Sequence, residues 1–258
     1  MFYVPSHLVN TKIKVALVGA GGTGSYLAQE LVRLGKALNV LSPETKLEVT
    51  IFDDGVVTEA NCIRQNFFST MIGMSKADAT VWTTNNLHGM NFIAKSEKAT
   101  PKSLTAFNLI ITAVDIPSIR YEIAQYFDKV VDTTSHYSMD RKLLWLDVGN
   151  TQASGNIVLG QFGNDKELPH ICDLYDFSNL SDDAGLEKSC SAIESLQKQN
   201  LGVNAFCARI GGQLLTNLFL NGSIAYHGAY FDCNEMTVDP INIDKKTWEI
   251  YNYHPNKH

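Results

Sequence analysis

The chain has 258 residues, 45% of them apolar, enough to bury a sizeable core as one large α/β domain. Its formal net charge of -6 and the absence of any long Lys/Arg block argue against a nucleic-acid footprint or an anionic membrane surface. No apolar run approaches the roughly 20 residues that span a bilayer, and "MFYVPSHLVN" lacks the basic start and apolar middle of a signal peptide, so a cytoplasmic location is expected.

In chain order, "KIKVALVGAGG" is a short apolar run closed by glycines, and "TGSYLAQELVRLGKAL" then repeats apolar residues at helical spacing. A strand, a tight turn and a helix are expected. "NVLSPETK" reads as a loop, "LEVTIF" as the next strand, and "SKADATVWTTNNLH" as a helix that Ser75 could cap. "FNLIITAV" and "KVVDTT" read as buried strands flanking a helical "SIRYEIAQYF". Strands alternating with helices imply a parallel sheet covered on both faces. From about Arg141 the rhythm changes, and "KLLWLDVGN" and "GNIVLGQF", joined by a polar turn, fit an antiparallel addition. The acidic stretch from Gly163 to Lys188 reads as a long crossing loop. "SAIESLQKQ" and "VNAFCARIGGQLLTNLFL" read as helices, the second apolar nearly all round and so buried or at an interface. The reading is a single α/β domain over 1–258: a Rossmann-like, mostly parallel nucleotide-binding part over 12–136, then antiparallel strands, crossing loop and helices over 141–258.

"GAGGTG", with Gly19, Ala20, Gly21, Gly22 and Gly24, sits where strand feeds helix. Glycines there let the backbone approach a phosphate, and the helix start supplies unpaired N–H groups and positive dipole. The spacing also satisfies G-x-G-x-x-G, so NAD and FAD stay open beside ATP. Asp53, at the end of the second strand, stands where a nucleotide site keeps its ribose acid; a solvated turn is its other reading. Arg64 and Lys76 suit the charge of a triphosphate, or are ordinary surface cations.

Taken together, "VALVGAGGTGS", the run Asp53, Asn61, Arg64-Gln65, then "IGMSKAD" and "ITAVDIPSIR", resemble the ThiF/MoeB family, adenylating enzymes that include the ubiquitin-activating enzymes. The resemblance implies that Gly19, Ala20, Gly21, Gly22 and Gly24 cradle ATP, that Asp53 takes its ribose, and that Asn61, Arg64, Gln65 and Lys76 surround its phosphates. It implies Mg²⁺ at Asp115, although Asp115 could equally cap the following helix. The implied chemistry is attack of the C-terminal carboxylate of a small ubiquitin-like protein on the α-phosphate of ATP. Arg64 and Lys76 would stabilise the developing charge. A homodimer is expected. Two departures stand out: Gly55 occupies a position where many members carry a second acid, and the paired C-x-x-C zinc motifs are missing.

The five cysteines are widely spread and read as reduced thiols. Cys190 in "EKSCSAIES", at the expected start of a helix, is the candidate thioester nucleophile; its other reading is a packed residue behind a capping Ser189. "SCSAIESLQKQNLGVN" resembles the same stretch of ThiF-type proteins from bacterial PRTRC gene systems, which implies a ubiquitin-like partner and a conjugating-enzyme-like companion. Cys62 and Cys207 are better explained by packing, and His136 and His170 read as surface or loop histidines. Two other functions stay open: a dinucleotide-dependent oxidoreductase, and a non-catalytic scaffold of the same fold.

Overall fold

The computed structural model of the chain describes residues 1–133, 143–177 and 199–253. Cys190, His136 and most of the expected helix "SAIESLQKQ" lie outside the described residues. After a short strand β1 (Phe2–Tyr3) come β2 (Lys12–Val18), α1 (Gly22–Leu41) and β3 (Lys46–Phe52). The helix runs on through Asn39, Val40 and Leu41, expected as loop, and ends only at Ser42, where the following Pro43 disfavours helical backbone. Next come α2 (Asn61–Arg64), α3 (Lys76–Trp82), β4 (Ile93–Lys95), β5 (Leu109–Thr112) and α4 (Pro117–Thr133). The second half contains β6 (Leu144–Asn150), β7 (Ser154–Gln161), α5 (Ile171–Leu174) and α6 (Val203–Asn221). It closes with β8 (Ser223–Ile224), β9 (Tyr226–Asp232), β10 (Thr237–Asn242) and α7 (Lys245–Ile250).

One sheet has the order β10-β9-β7-β6-β5-β2-β3-β4, and β1 pairs with β8 apart from it. The pairs among β4, β3, β2, β5 and β6 are parallel, and β6–β7, β7–β9 and β9–β10 are antiparallel. The expected α/β class, mostly parallel with antiparallel additions in the C-terminal part, is what the fold has. Two expectations are corrected. "KLLWLDVGN" supplies β6, which is parallel to β5, so the antiparallel part begins one strand later. Residues 129–133 of "KVVDTT" are the last turn of α4 and not a strand. Ile123 and Phe127 are fully buried and Val131 packs against the same core; that four-residue spacing is one face of a helix, and it outweighs the β-branched composition.

Burial on both sheet faces explains the central strands, since Val15, Ala16 and Leu17 in β2 and all of β5 are buried. On one face α1 packs against α6. Arg209 of α6 reaches across to Glu30 of α1 at 2.7 Å. On the other side Arg120 of α4 donates Nε to Asp147 Oδ1 of β6 at 2.7 Å, both side chains nearly excluded from water. Thr112 of β5 donates to the same Asp147 oxygen and accepts from Trp145 Nε1 at 2.9 Å. Deleting one member of such a buried pair typically costs about 3–5 kcal/mol, because the other is left charged and dry. No helix among the described residues is long and apolar enough to cross a membrane.

The C-terminal strands are tied to the sheet through His227, which is fully buried. Its Nδ1 lies 2.7 Å from the Leu159 carbonyl oxygen and its Nε2 accepts from Trp248 Nε1 at 2.9 Å, an arrangement that needs the neutral ring with its proton on Nδ1. Burial pushes its pKa down to about 4, with the Leu159 carbonyl opposing. The folded value lies below the unfolded one, so this contribution is complete above about pH 6.5 and is lost as pH falls toward 4, by about 3 kcal/mol. Urea unfolding at pH 7 and at pH 4.5 should show this acid loss in the parent and a shallower one in His227→Phe, whose stability at pH 7 is lower.

Candidate functional site

The order of strands places the site. β3 and β4 lie to one side of β2 and β5 and β6 to the other, so the chain reverses direction of growth between β2 and β5. A crevice opens beyond the carboxyl ends of strands at such a point. Here it is a cavity of about 350 Å³ reached by Val18, Gly19, Phe52, Asp53 and Val114. Phe52, Val114, Ile116 and Ile119 give it an apolar wall that suits a planar base. Asp53, Asp54, Glu97 and Glu122 line it against one cation, Lys98. That balance favours an uncharged nucleoside there over a second phosphate group.

The glycine turn leads from this cavity into α1. Gly19 has φ +92°, and a Cβ on Gly24 would collide with the Gly19 carbonyl oxygen, so both are needed for the backbone to double back. Gly21 is different, since a Cβ there would meet nothing within 4 Å. It borders open space and precedes a helix that has no side-chain cap and no acid in its first turn. The first N–H groups of α1 are thus left for a ligand, with the positive end of the dipole behind them.

Asp53 braces the turn. Its Oδ2 accepts from Ala20 N at 2.7 Å and its Oδ1 from Gly55 N at 2.7 Å. Each oxygen keeps a second lone pair for a ribose hydroxyl. At Gly55 a Cβ would lie 2.9 Å from Asp53 Oδ1 and 3.3 Å from Lys76 Cδ, and Lys76 N donates to Gly55 O at 2.9 Å. An acid at this position would crowd both side chains, so Gly55 is matched to its neighbours. Ser75 caps α3, which starts at Lys76, as the sequence suggested.

Arg64 is half-buried on α2, where burial pushes its pKa down and the charge of Asp115 opposes the shift. The structure thus brings Arg64 and Asp115 within electrostatic reach. Asp115 itself is exposed and lies two residues before Pro117, where α4 begins. Asn61 uses Oδ1 on Thr58 N at 3.0 Å, which leaves its Nδ2 as a donor. Gln65 Oε1 is buried without a hydrogen-bond partner among the described residues. Among the described residues no group of three or more His, Cys, Asp and Glu side chains could hold a metal ion by itself. Mg²⁺ at Asp115 would therefore draw most of its oxygens from phosphate and water, which suits this hard, hydrated ion.

Several residues at this end of the sheet escaped the sequence reading. Asn66 N donates to Ser25 Oγ at 3.0 Å, tying the α2 segment to α1. Thr23, in the first turn of α1, donates to Asn150 Oδ1 at 2.7 Å and to Asn204 Oδ1 at 3.2 Å. Asn204 Nδ2 reaches the Arg64 carbonyl at 3.3 Å and Gln199 Oε1 at 2.9 Å. Their one sequence signal was a polar residue, Asn204, in the first turn of a largely apolar helix. His170 lies outside helix and strand, as expected of a loop residue, but it is not at the surface: it is 2% exposed, with Nε2 3.0 Å from Asp128 Oδ2 and Lys166 and Asp173 beside it. Cys207 is buried and Cys62 packs on a small apolar cluster around Val57, Phe67 and Met71, as expected.

A family model described as "ThiF family" matches residues 7–218. The chain belongs to the ThiF family. No curated protein matches it. Among solved structures it is similar to PaaA, with 13% identity, a TM-score of 0.60, and 90% of this chain and 64% of that chain covered. It is also similar to E. coli MccB, solved with ATP (14% identity, TM-score 0.58, 93% and 66% covered) and with MccA (13% identity, TM-score 0.60, 93% and 66% covered). The chain thus spans about two thirds of the length of these solved chains, and at such identities the likeness is one of fold.

The two kinds of glycine in this ThiF turn should separate by experiment. Gly24→Ala should lower the melting temperature by about 5 °C or more, the effect of a backbone clash of a few kcal/mol in a chain of this size. Gly21→Ala should stay within about 2 °C of the parent in a thermal scan.

Proposed function

We propose that this ThiF-family chain is an adenylyltransferase that uses ATP and Mg²⁺ to activate the C-terminal carboxylate of a small polypeptide, with a ubiquitin-like β-grasp protein as its substrate. The observation that carries the reading is an uncapped helix start that the glycine turn joins to a nucleoside-sized cavity lined by Gly19, Asp53 and Val114, and Arg64 within electrostatic reach of Asp115 supports it. In the reaction one carboxylate oxygen of the substrate bonds to the α-phosphorus and the bond from that phosphorus to the bridging oxygen breaks, releasing pyrophosphate and leaving an acyl adenylate. No general base is needed, because the carboxylate is already ionised at neutral pH.

In this reading the apolar wall takes the adenine and Asp53 the ribose, while the α1 N–H groups between Gly21 and Gly24 hold phosphate oxygens. Arg64 and Lys76 meet the charge that builds on the phosphates in the transition state, and Asn61 with Gln65 borders them. Mg²⁺, held by Asp115 with phosphate oxygens, supplies Lewis-acid compensation of the leaving pyrophosphate. The E. coli MccB structures with ATP and with MccA support the reading by analogy of fold. A dinucleotide oxidoreductase would use the same turn and Asp53 but leaves Arg64, Lys76 and Asp115 without a shared task. We further propose that the enzyme works in the cytoplasm as a homodimer, and that Cys190 accepts the acyl group as a thioester for a conjugating-enzyme-like protein.

Exchange of labelled pyrophosphate into ATP in the presence of a ubiquitin-like protein tests this directly. Arg64→Ala or Asp115→Ala should lower exchange about a hundredfold or more. Exchange with no candidate polypeptide, together with tight NAD binding, would reject the reading. Cys190→Ala should abolish a thiol-labile adduct with the substrate; an adduct that survives the substitution places the nucleophile elsewhere.

A further inference from the structure

Arg64 is held by a group that its own segment does not contain. Gln199, just before α6, accepts Arg64 Nη1 at 2.7 Å on its Oε1. The same oxygen accepts Asn204 Nδ2 at 2.9 Å, and Gln199 Nε2 donates to the Thr151 carbonyl at 3.2 Å. The orientation of this amide follows from its neighbours: both groups at the oxygen are donors and the one at the nitrogen is an acceptor, so a flipped amide would face like against like at every contact. We propose that Gln199 is a positioning residue that aims the guanidinium of Arg64 at the nucleotide phosphates, an inference that rests on the adenylating reading above.

The residue type matters. A guanidinium has five donors, and Gln199 takes one of them. A neutral carbonyl orients the fork without cancelling its charge, whereas a carboxylate at the same place would form an ion pair that competes with phosphate. Asn204 extends the effect to the turn itself, because the side chain that bonds Gln199 also accepts from Thr23 in the first turn of α1 and donates to the Arg64 carbonyl. Asn150 closes the set by accepting from Thr23, and Asn200 N donates to Gln152 O at 2.7 Å, pinning the segment that carries Gln199 to the β6–β7 turn. Phosphate binding at α1 and the aim of Arg64 are therefore set by one contiguous group of side chains.

The test is a pair of substitutions read with and without Arg64. Gln199→Glu should weaken ATP binding, measured by calorimetry, about tenfold, because the new carboxylate neutralises Arg64. Gln199→Met, which keeps the length but not the acceptor, should leave ATP affinity within about threefold and lower the pyrophosphate-exchange rate about tenfold, since a guanidinium that has lost the Gln199 acceptor is less well aimed, and that loss is felt mainly in the transition state. In an Arg64→Ala background the effect of either substitution should fall to about twofold or less, the remainder passing through Asn204 and Thr151. Equal effects with and without Arg64, or parent-like affinity in Gln199→Glu, would overturn the proposal while leaving the adenylating reading in place. If the parent binds ATP but exchanges pyrophosphate with no polypeptide, the adenylating reading fails, and the ATP affinities of Gln199→Glu and Arg64→Ala, single and combined, still decide whether Gln199 acts through Arg64. A parent that binds no ATP overturns both.

Discussion

The site depends on a helix that starts without a cap. Helix termini leave several N–H groups unpaired, and most helices satisfy some of them with a Ser, Thr, Asp or Asn side chain. α1 begins at Gly22 behind Gly21, with no capping side chain. An uncapped start costs about 1 kcal/mol relative to a capped one, and the surrounding residues make that start rigid instead. Asp53 grips Ala20 from just past β3, Ser25 holds the α2 segment, and Thr23 is fixed by Asn150 and Asn204. The donors are thereby held in place before any anion arrives, which is the condition under which backbone groups bind phosphate well.

A second layer of buried polar contacts holds the walls apart from the turn. The Arg120–Asp147 pair, with Thr112 and Trp145, locks α4 to β5 and β6 just below the loop that carries Asp115. Phe177 lies against Arg120, its ring centroid 5.7 Å from the guanidinium carbon. On the same side His170 and Lys166 meet Asp128 of α4, and Asp173 in turn binds Lys166, fastening the chain beyond β7 to that helix. Burial pushes the Asp128 carboxyl up, but His170, Lys166 and the Gly163 N–H outweigh it and hold it below the ordinary range.

Much of this was legible in the residues because the chemistry is local. Glycines between an apolar run and a helical pattern mark a phosphate turn, and Asp53 and Arg64 belong to the same short stretch that follows the second strand. Periodicity failed where composition and context disagree. The β-branched "KVVDTT" suggested a strand, but its first residues continue the face of α4 set by Ile123 and Phe127. The contacts that could not be read are those between distant segments: Gln199 and Arg64 are 135 positions apart, and Asn204 and Thr23 are 181. Nothing in the pattern of one segment states which polar group of another will face it. His170 shows the same limit, since an isolated histidine in an irregular segment carries no sign that Asp128 will bury beside it.

The central claim is that a carboxylate of the substrate attacks the α-phosphorus of ATP. Oxygen tracing reads this directly. A polypeptide whose C-terminal carboxylate carries 18O is incubated with the enzyme, ATP and Mg²⁺, and the acyl adenylate is opened by hydroxylamine at its acyl carbon, so the bridging oxygen leaves with the nucleotide. Mass spectrometry should then find the label in AMP and none in pyrophosphate. Label in orthophosphate alongside ADP would place the attack on the γ-phosphorus, and unlabelled AMP would show that the carboxylate never attacked; either result contradicts the account.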